Sequence, residues 1–459
     1  MPKPIARPIV LAIWSCVLGC GPGGFAGAGS EFGEAGTADD EIGDPSTSGM
    51  SDPNPTSGSD SSDDGLSTET ETETETGADD WTDPGTETGD DTDEPELIDA
   101  DCSRVWTVLD SKRSHGHIGA TPIGPGPSGA FVSVNPVLAS EDGVNVDSWI
   151  RSWTPAGELL WESQVSWADH RDDPLALLSD DLGDVYLGGR INANTFEDAM
   201  VAKLDGQTGE VIWTFLRGEA GGYASIAENG AALVVAGKIG GFSGHWLELM
   251  ALEPETGEVL WVSEPEEVFD ARGLVVAEGK LDLLVARSLG NQNSVEILRY
   301  QPLATTPEPL VLLLSHSGPV AVLDLERFGD DQLAAVFAVG PDSHLRLVDR
   351  ASGEVSASLK IDPVEGATTV IASELVELPG GQGLGIAGTV ALADEERQTF
   401  IMRVDPQLEV VCTGVLSRAD LGVSRSPLLR GLVAGDDGAL YTGSFVDTPI
   451  RLGAFARWE

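Results

Sequence analysis

Residues 200–213 read MVAKLDGQTGEVIW, and residues 249–261 repeat the phrase as LMALEPETGEVLW. Each copy holds an apolar strand, a turn rich in Asp, Thr or Gly, and a second strand that ends at a tryptophan. Glycine supplies the positive φ that a tight turn requires, so each copy is predicted to form a β-hairpin. Residues 150–161 are a looser copy, 345–355 lose the tryptophan, and 402–412 keep less of the phrase.

A second phrase precedes these hairpins and reads DLGDVYLGG at 181–189, ENGAALVVAG at 228–237 and DDGALYTG at 436–443. It is typical of a turn followed by a β-strand, with small residues where strands crowd together. Together the two phrases predict a unit of about four strands. No long helical period occurs in the chain, so the sequence predicts an all-β fold.

Tryptophans mark the last strand of the clearest units. Trp106, Trp161, Trp213 and Trp261 are 55, 52 and 48 residues apart. Weaker equivalents fall near Val311, Ser356 and Val411. This spacing is typical of four-stranded blades, and it predicts a seven-bladed β-propeller over 102–459, with six or eight blades as alternatives. The strand at 102–108 has no partner before it, so we expect it to complete the last blade and close the ring.

The Asp-x-x-Thr-Gly-x-x-x-Trp phrase resembles the pyrroloquinoline-quinone-like (PQQ-like) β-propeller repeat, and the likeness covers most of 102–459. The resemblance implies that the four tryptophans above dock between neighbouring blades. Quinone enzymes of that family use a vicinal cysteine pair and a calcium ion. This chain has no adjacent cysteines, so we expect no PQQ. The acidic turns at 141–143 and 436–438 leave calcium open, although Asp-Gly is first a hairpin signal.

Cys102 and Cys412 are the cysteines of the propeller region, on the proposed outer strands of blades seven and six. In an oxidising envelope they could form one disulfide that clamps the ring closure. The alternative is that these outer strands lie too far apart for a bridge.

The amino terminus is predicted to be a targeting segment. Lys3 and Arg7 precede an apolar run over 9–18 that is too short to span a bilayer, so 1–19 is typical of a signal peptide. Residues 17–20, VLGC, resemble a bacterial lipobox, which implies lipidation of Cys20. An ordinary cleaved signal is the alternative. Gly21 stands where Asp often marks inner-membrane retention, which favours the outer membrane or cell surface.

Residues 20–101 form the lipid anchor and a tether rich in Ser, Thr, Gly and Glu. From residue 21 to 101 the chain has 25 acidic residues and no Lys or Arg, so we expect a disordered, extended linker. The whole chain has a net charge of −50. Because such a chain repels phosphate backbones, nucleic acid is excluded as a partner.

Three histidines suggest a speculative site at the channel mouth. His117, His170 and His316 fall in connections just before proposed innermost strands, and Asp169 or Asp172 could join them around a metal. The alternative is that they are exposed loop histidines. Residues 179–186, SDDLGDVY, resemble the Asp-box turn of sialidase propellers, but the phrase occurs once, which favours a structural turn.

These observations predict a cell-envelope lipoprotein whose propeller is a non-catalytic binding or scaffold module for an envelope protein or an extracellular glycan. A rigid rim with variable loops suits recognition. The alternatives are a secreted polysaccharide hydrolase or lyase that acts at the channel mouth, and a surface spacer. The sequence carries no nucleophile elbow, Walker loop or zincin helix that would support an enzyme.

Overall fold

The computed structural model describes residues 102–459, apart from 115–122, 127–128, 139–145, 168–170, 181, 194–195, 229–230, 241–245, 264–265, 269, 290, 302–307, 394–395, 425 and 447–450. The predicted signal peptide and tether therefore lie outside the described residues. Within the described residues the chain is built almost entirely from β-strands, as the sequence predicts.

The strands in chain order are β1 (Arg104–Ser114), β2 (Ile123–Pro125), β3 (Phe131–Leu138), β4 (Val146–Trp153), β5 (Leu159–Val165), β6 (Arg171–Ser179), β7 (Val185–Ala193), β8 (Phe196–Leu204), β9 (Val211–Glu228), β10 (Leu233–Ile239), β11 (Trp246–Leu252), β12 (Val259–Val262), β13 (Glu266–Glu267), β14 (Asp270–Ala277), β15 (Lys280–Leu289), β16 (Gln292–Tyr300), β17 (Glu308–His316), β18 (Val320–Phe328), β19 (Gln332–Val339), β20 (Asp342–Asp349), β21 (Val355–Ile361), β22 (Ala367–Glu377), β23 (Leu384–Leu392), β24 (Arg397–Val404), β25 (Val410–Leu416), β26 (Pro427–Ala434), β27 (Leu440–Val446) and β28 (Arg451–Trp458). A short helix, α1 (Arg418–Leu421), follows β25. Among the described residues, no helix has the length and apolar character needed to cross a membrane.

Antiparallel pairing divides these strands into seven groups of four within the described residues, which we call blades 1 to 7. The blades are β2–β5, β6–β8 with the first part of β9 (211–217), the second part of β9 (221–228) with β10–β12, β14–β17, β18–β21, β22–β25, and β26–β28 with β1. The short strand β13 pairs with β11 in blade 3.

The blades stand around a common centre. The innermost strand of each blade contacts the innermost strand of the next, from β2 through β6, β9, β14, β18, β22 and β26 and back to β2. Apolar clusters of buried residues fill the space between each pair of consecutive blades. The fold is a β-propeller.

The ring closes with strands from the two ends of the described region. Strand β1 pairs with β28 and forms the outermost strand of blade 7. Beyond that pairing, Ser103 and Glu459 exchange both backbone hydrogen bonds, at N···O distances of 3.0 and 2.9 Å. The last blade therefore gains its fourth strand from the start of the domain, which is the closure that the sequence predicts.

Candidate functional site

The repeat tryptophans lie between blades. The indole nitrogens of Trp106, Trp161 and Trp213 each donate to a backbone carbonyl in the Gly-containing turn of the next blade, at 3.1, 3.0 and 3.0 Å. The accepting carbonyls belong to Pro155, Gly206 and Pro254. Trp261 is half-buried against the cluster between blades 3 and 4. All four side chains contribute to packing between blades.

Glycine has two roles in these turns. Gly209 and Gly257 have φ of +72° and +70°, in the left-handed region that favours glycine. A Cβ atom on Gly209 would lie 2.5 Å from the Trp161 ring, and one on Gly257 would lie 2.7 Å from the Trp213 ring. The Thr-Gly of the repeat therefore shapes the turn and also leaves room for the neighbouring indole.

Blades 4 and 5 are joined in a different way. Asp282, fully buried in blade 4, accepts from Arg299 Nε at 2.7 Å and from Arg350 Nε of blade 5 at 2.7 Å. The outer strand of blade 4 carries Val311 where blades 1, 2, 3 and 7 carry tryptophan, and this buried ion triad links blades 4 and 5.

Cys102 and Cys412 form a disulfide. It joins the residue that precedes β1 of blade 7 to the outer strand β25 of blade 6, with a Cα–Cα distance of 5.1 Å. The Cys102 amide also donates to the Thr413 carbonyl at 3.1 Å. The bond therefore links two residues that are 310 positions apart in sequence and ties blade 6 to the strand that closes the ring.

Most of the predicted histidine site lies outside the described residues. His117, His170 and Asp169 lie outside the described residues. His316 is the last residue of the outer strand β17, so the structure places it in that strand and not in the connection that follows. Asp172 is buried on the innermost strand β6 and accepts from the Trp167 amide at 3.0 Å. In the described part of the chain, no group of three or more His, Cys, Asp or Glu could hold a metal ion.

The Asp-rich turns hold the backbone. In the Asp-box-like segment, Asp180 Oδ1 accepts from the amides of Leu182 and Asp184, both at 2.9 Å, and Oδ2 accepts from the Tyr186 hydroxyl. Asp437, in one of the two turns considered for calcium, accepts from the Ala439 amide and from Arg457. Both carboxylates therefore accept hydrogen bonds from groups of the protein itself. The turn at 141–143 lies outside the described residues.

Charged side chains occur on the innermost strands of blades 2 and 4. Buried Asp173 accepts from Arg171 Nε at 3.0 Å and from Arg190 Nε at 3.1 Å, and burial raises the pKa of its carboxyl despite both cations. In blade 4, Asp270 lies 3.5 Å from Lys238 Nζ and 3.6 Å from Arg272 Nε. These charged groups form one part of the polar surface at the centre of the ring, which we call the channel lining.

Three buried carboxyl groups continue this lining on the innermost strands of blades 5 and 6. Asp324 accepts from the amides of Leu325 and Leu375, both at 2.8 Å, and burial raises its pKa to about 7. Burial also raises the pKa of Glu326 and of Glu374 well above the usual value, and the Asp324 charge adds to this rise. Neither carboxyl oxygen of Glu374 has a hydrogen-bond partner among the described residues. Burial and the lack of hydrogen-bond partners both favour the neutral acid form of Glu374 over the carboxylate.

The innermost strands share a bulge near these groups. In each of blades 2 to 7 the innermost strand carries an extra residue near its middle relative to the strand it pairs with: Leu175, Ala224, Gly273, Leu323, Ser373 and Arg430. Bulges bend a strand and re-aim the side chains beside them. Charged residues inside apolar strands, such as VLDLERF at 322–328 and IASELVE at 371–377, are the signal that could have revealed this lining.

A second bulge occurs on the outermost strand of every blade, directly before the tryptophan position. The bulged residues are Val105, Leu160, Ile212, Leu260, Leu310, Ser356 and Val411. Because a bulge interrupts the alternation of faces, two consecutive aliphatic side chains become exposed in several blades. Leu159 and Leu160 are 47% and 55% exposed, and Val259 and Leu260 are 45% and 51% exposed.

Exposed apolar surface is concentrated on these strands. Of the 16 large apolar side chains that are exposed in the described residues, 14 lie on outermost strands. Six of these strands begin at or follow an exposed glutamate: Glu158, Glu210, Glu258, Glu308, Glu354 and Glu409. None of the six carboxylates forms an ion pair with a described residue. The sequence interpretation treated these segments only as closing strands.

Comparison with known proteins gives likenesses at low similarity. No family model and no curated protein matches the chain. Among solved structures, BamB from Moraxella catarrhalis is 13% identical with a TM-score of 0.34, over 78% of this chain and 99% of that one. The Dos1 propeller is 8% identical with a TM-score of 0.46, over 77% and 95%. A polysaccharide lyase, an ulvan lyase, is 11% identical with a TM-score of 0.44, over 66% and 81%. With TM-scores below 0.5, the propeller assignment rests on the strand pairing alone.

Proposed function

We propose that this chain is a lipid-anchored protein of the cell envelope whose propeller is a non-catalytic binding or scaffold module. The observation that carries the proposal is the concentration of exposed aliphatic side chains on the outermost strands. Single exposed apolar residues are normal on a protein surface, but grouped ones mark interaction sites. The partner classes are an envelope protein and an extracellular glycan, and the aliphatic character of this surface favours the protein.

The unpaired edges of the outermost strands support the same proposal. Within the described residues, β5, β12, β17, β21 and β25 each have a partner on one side only. Such edges attract other chains unless they are protected, and bulges are one form of protection. In β5, β12, β21 and β25 the bulge lies at the start of the strand, so its protection is local.

The proposed anchor is the lipidated Cys20, at the outer membrane or the cell surface. The tether to residue 101 would then hold the propeller away from the lipid. At about 80 residues, a flexible chain has a root-mean-square reach on the order of 50 Å. The proposal includes no PQQ, since the sequence has no adjacent cysteines.

The experiment is a binding assay with the full chain in detergent micelles. The immobilised protein is presented with solubilised envelope proteins and, separately, with a panel of polysaccharides. We expect saturable binding of a protein component. If nothing from either pool binds saturably, the proposal is wrong and a spacer role is favoured.

A second candidate is a polysaccharide hydrolase or lyase, which the raised pKa values of Asp324, Glu326 and Glu374 favour, because such groups occur where proton transfer is catalysed. The test is incubation with the same polysaccharides, with reducing ends and unsaturated products measured for the native chain and for Glu374→Gln. Activity lost in the variant would favour the enzyme.

A parallel test of the predicted histidine site at the channel mouth compares metal content and activity in His117→Ala and His170→Ala.

A further inference from the structure

Blades 1, 2 and 3 repeat one surface element at the start of their outermost strands. We define the outer-strand triplets as residues 158–160, 210–212 and 258–260, which read Glu-Leu-Leu, Glu-Val-Ile and Glu-Val-Leu. The aliphatic residues are 40–55% exposed, and the glutamates are exposed with no ion pair to a described residue. Three consecutive blades thus present the same chemistry in the same orientation.

The bulge gives each triplet its shape. In blade 2 the pairs Leu204↔Val211 and Lys203↔Trp213 leave Ile212 without an opposite residue. In a regular strand Val211 and Ile212 would point to opposite faces, and one of them would face the neighbouring blade. With the bulge both are exposed, while Trp213 remains in place to donate to the Pro254 carbonyl. The docking of the tryptophan and the exposure of the aliphatic pair are consequences of the same irregularity.

We propose that the outer-strand triplets bind a protein partner that presents Lys or Arg side chains next to aliphatic ones. This inference rests on the proposed binding function and specifies its surface and partner chemistry. The aliphatic pairs supply apolar area, and the glutamate carboxylates supply charge that a cation would complement. Repetition on three blades makes the surface multivalent, so that several weak contacts add to one stable complex.

The negative charge of this surface favours a basic protein partner over other molecules that could bind it. A second copy of the chain would bring like charges together, because residues 102–459 hold 51 acidic and 24 basic residues. A membrane surface with anionic headgroups would also repel the glutamates. Glycan sites are rich in aromatic platforms, whereas the tryptophans of the triplet strands in blades 1 and 2 are already docked on the next blade.

Blade 5 offers a matched control within the same fold. Its equivalent residues are Glu354, Val355 and Ser356, so the bulge position is polar. Ser356 donates to the Leu347 carbonyl at 3.3 Å, which shows that the bulge accommodates a serine. Replacing Leu160, Ile212 and Leu260 by Ser therefore gives blades 1 to 3 the bulge chemistry that blade 5 already has.

The test uses a phage library of random dodecapeptides, selected on the full chain in detergent micelles. We expect the enriched peptides to contain Lys or Arg beside aliphatic residues, and their affinity to fall with added salt. Binding should be about tenfold weaker or more for the Leu160→Ser, Ile212→Ser, Leu260→Ser triple variant. It should be unchanged for Glu354→Gln in blade 5.

A second variant keeps the proposal testable if the serine variant folds poorly. Glu158→Lys, Glu210→Lys and Glu258→Lys together alter only exposed carboxylates, and they should abolish selection of basic peptides. Enriched peptides without the basic and aliphatic pattern, or affinities that neither variant changes, would overturn the triplet surface. In that case saturable binding of an envelope component would still support the proposed function, whereas its absence would remove both.

Discussion

The indole nitrogen of Trp213 in blade 2 donates to the backbone carbonyl of Pro254 in blade 3 at 3.0 Å, and the ring lies against Gly257 of the same turn. One contact thus links the closing strand of one unit to the turn of the next. Since the repeat places the tryptophan and the turn in the same phrase, blades 1 and 2 each donate this contact to the next blade and accept it from the one before. The repeated phrase therefore contributes to contacts between blades as well as to the fold of each blade.

Replacing Gly257 by Ala should destabilise the protein in two ways. The positive φ costs roughly 1–2 kcal/mol for a residue with a Cβ atom. The contact with the Trp213 ring should add about 1–3 kcal/mol of overpacking. Gly366 is a matched control, because its φ is +80° and a methyl group at that position would have nothing within 4 Å. Thermal unfolding should show a larger fall for Gly257→Ala, and equal falls would contradict the docking role.

The disulfide should stabilise the ring closure. Cys102 and Cys412 are 310 residues apart, so the bond restricts a long loop in the unfolded chain. We expect Cys102→Ser with Cys412→Ser to lower the free energy of unfolding by about 3–5 kcal/mol. A reductant should lower the melting temperature of the native chain and leave that of the double variant unchanged. A reductant effect of equal size in both proteins would contradict a clamp.

Stability should fall with rising pH because of Glu374. Its pKa is raised in the folded protein, so between the usual value near 4.5 and the raised value only the unfolded chain loses the proton. The folded state then binds more protons, and stability decreases by up to about 1.4 kcal/mol per pH unit in that window. Glu374→Gln resembles the neutral acid and should remove this term. The variant should match the native chain below pH 4 and exceed it increasingly at higher pH.

The control for this pH profile is Glu158→Gln, which changes an exposed carboxylate and should leave the profile as it is. Urea unfolding at a series of pH values measures the difference. If Glu374→Gln runs parallel to the native chain at every pH, the carboxyl group loses its proton at the same pH in the folded and unfolded states, and our interpretation of Glu374 is wrong.

Cys20 should determine where the protein resides. If it carries the lipid, Cys20→Ser should move the protein from the membrane pellet to the soluble fraction and abolish incorporation of radiolabelled palmitate. Cys16→Ser, in the same amino-terminal segment, is the matched control and should change neither. Retention of Cys20→Ser in the membrane fraction would favour a different mode of attachment.

The all-β architecture and the closure of the ring could be predicted from sequence because they follow from local signals. A Thr-Gly turn between apolar strands specifies a hairpin wherever it occurs, and the unpaired first strand at 102–108 left one place for itself, in the last blade. Cys102 and Cys412 could be proposed as a pair because both fell on strands beside that closure. Whether they met depended on the distance between two outer strands, which no local signal gives.

The bulges could not be predicted in the same way. Glu210-Val211-Ile212-Trp213 looks like an ordinary strand, and only the pairing with β8 shows that Ile212 lacks an opposite residue. The same limit applies to the channel lining. Asp324 and Glu374 are charged residues inside largely apolar strands, and the sequence does not show that neighbouring blades bring them to the same buried centre.

The proposed partner surface is tested most directly by titration of the full chain to saturation with solubilised envelope proteins. The titration compares the native protein with the Leu160→Ser, Ile212→Ser, Leu260→Ser variant. We predict saturable binding of a protein to the native chain and about tenfold weaker binding to the variant, at an unchanged melting temperature. Equal affinity for both proteins would contradict a partner surface on the outermost strands of blades 1 to 3.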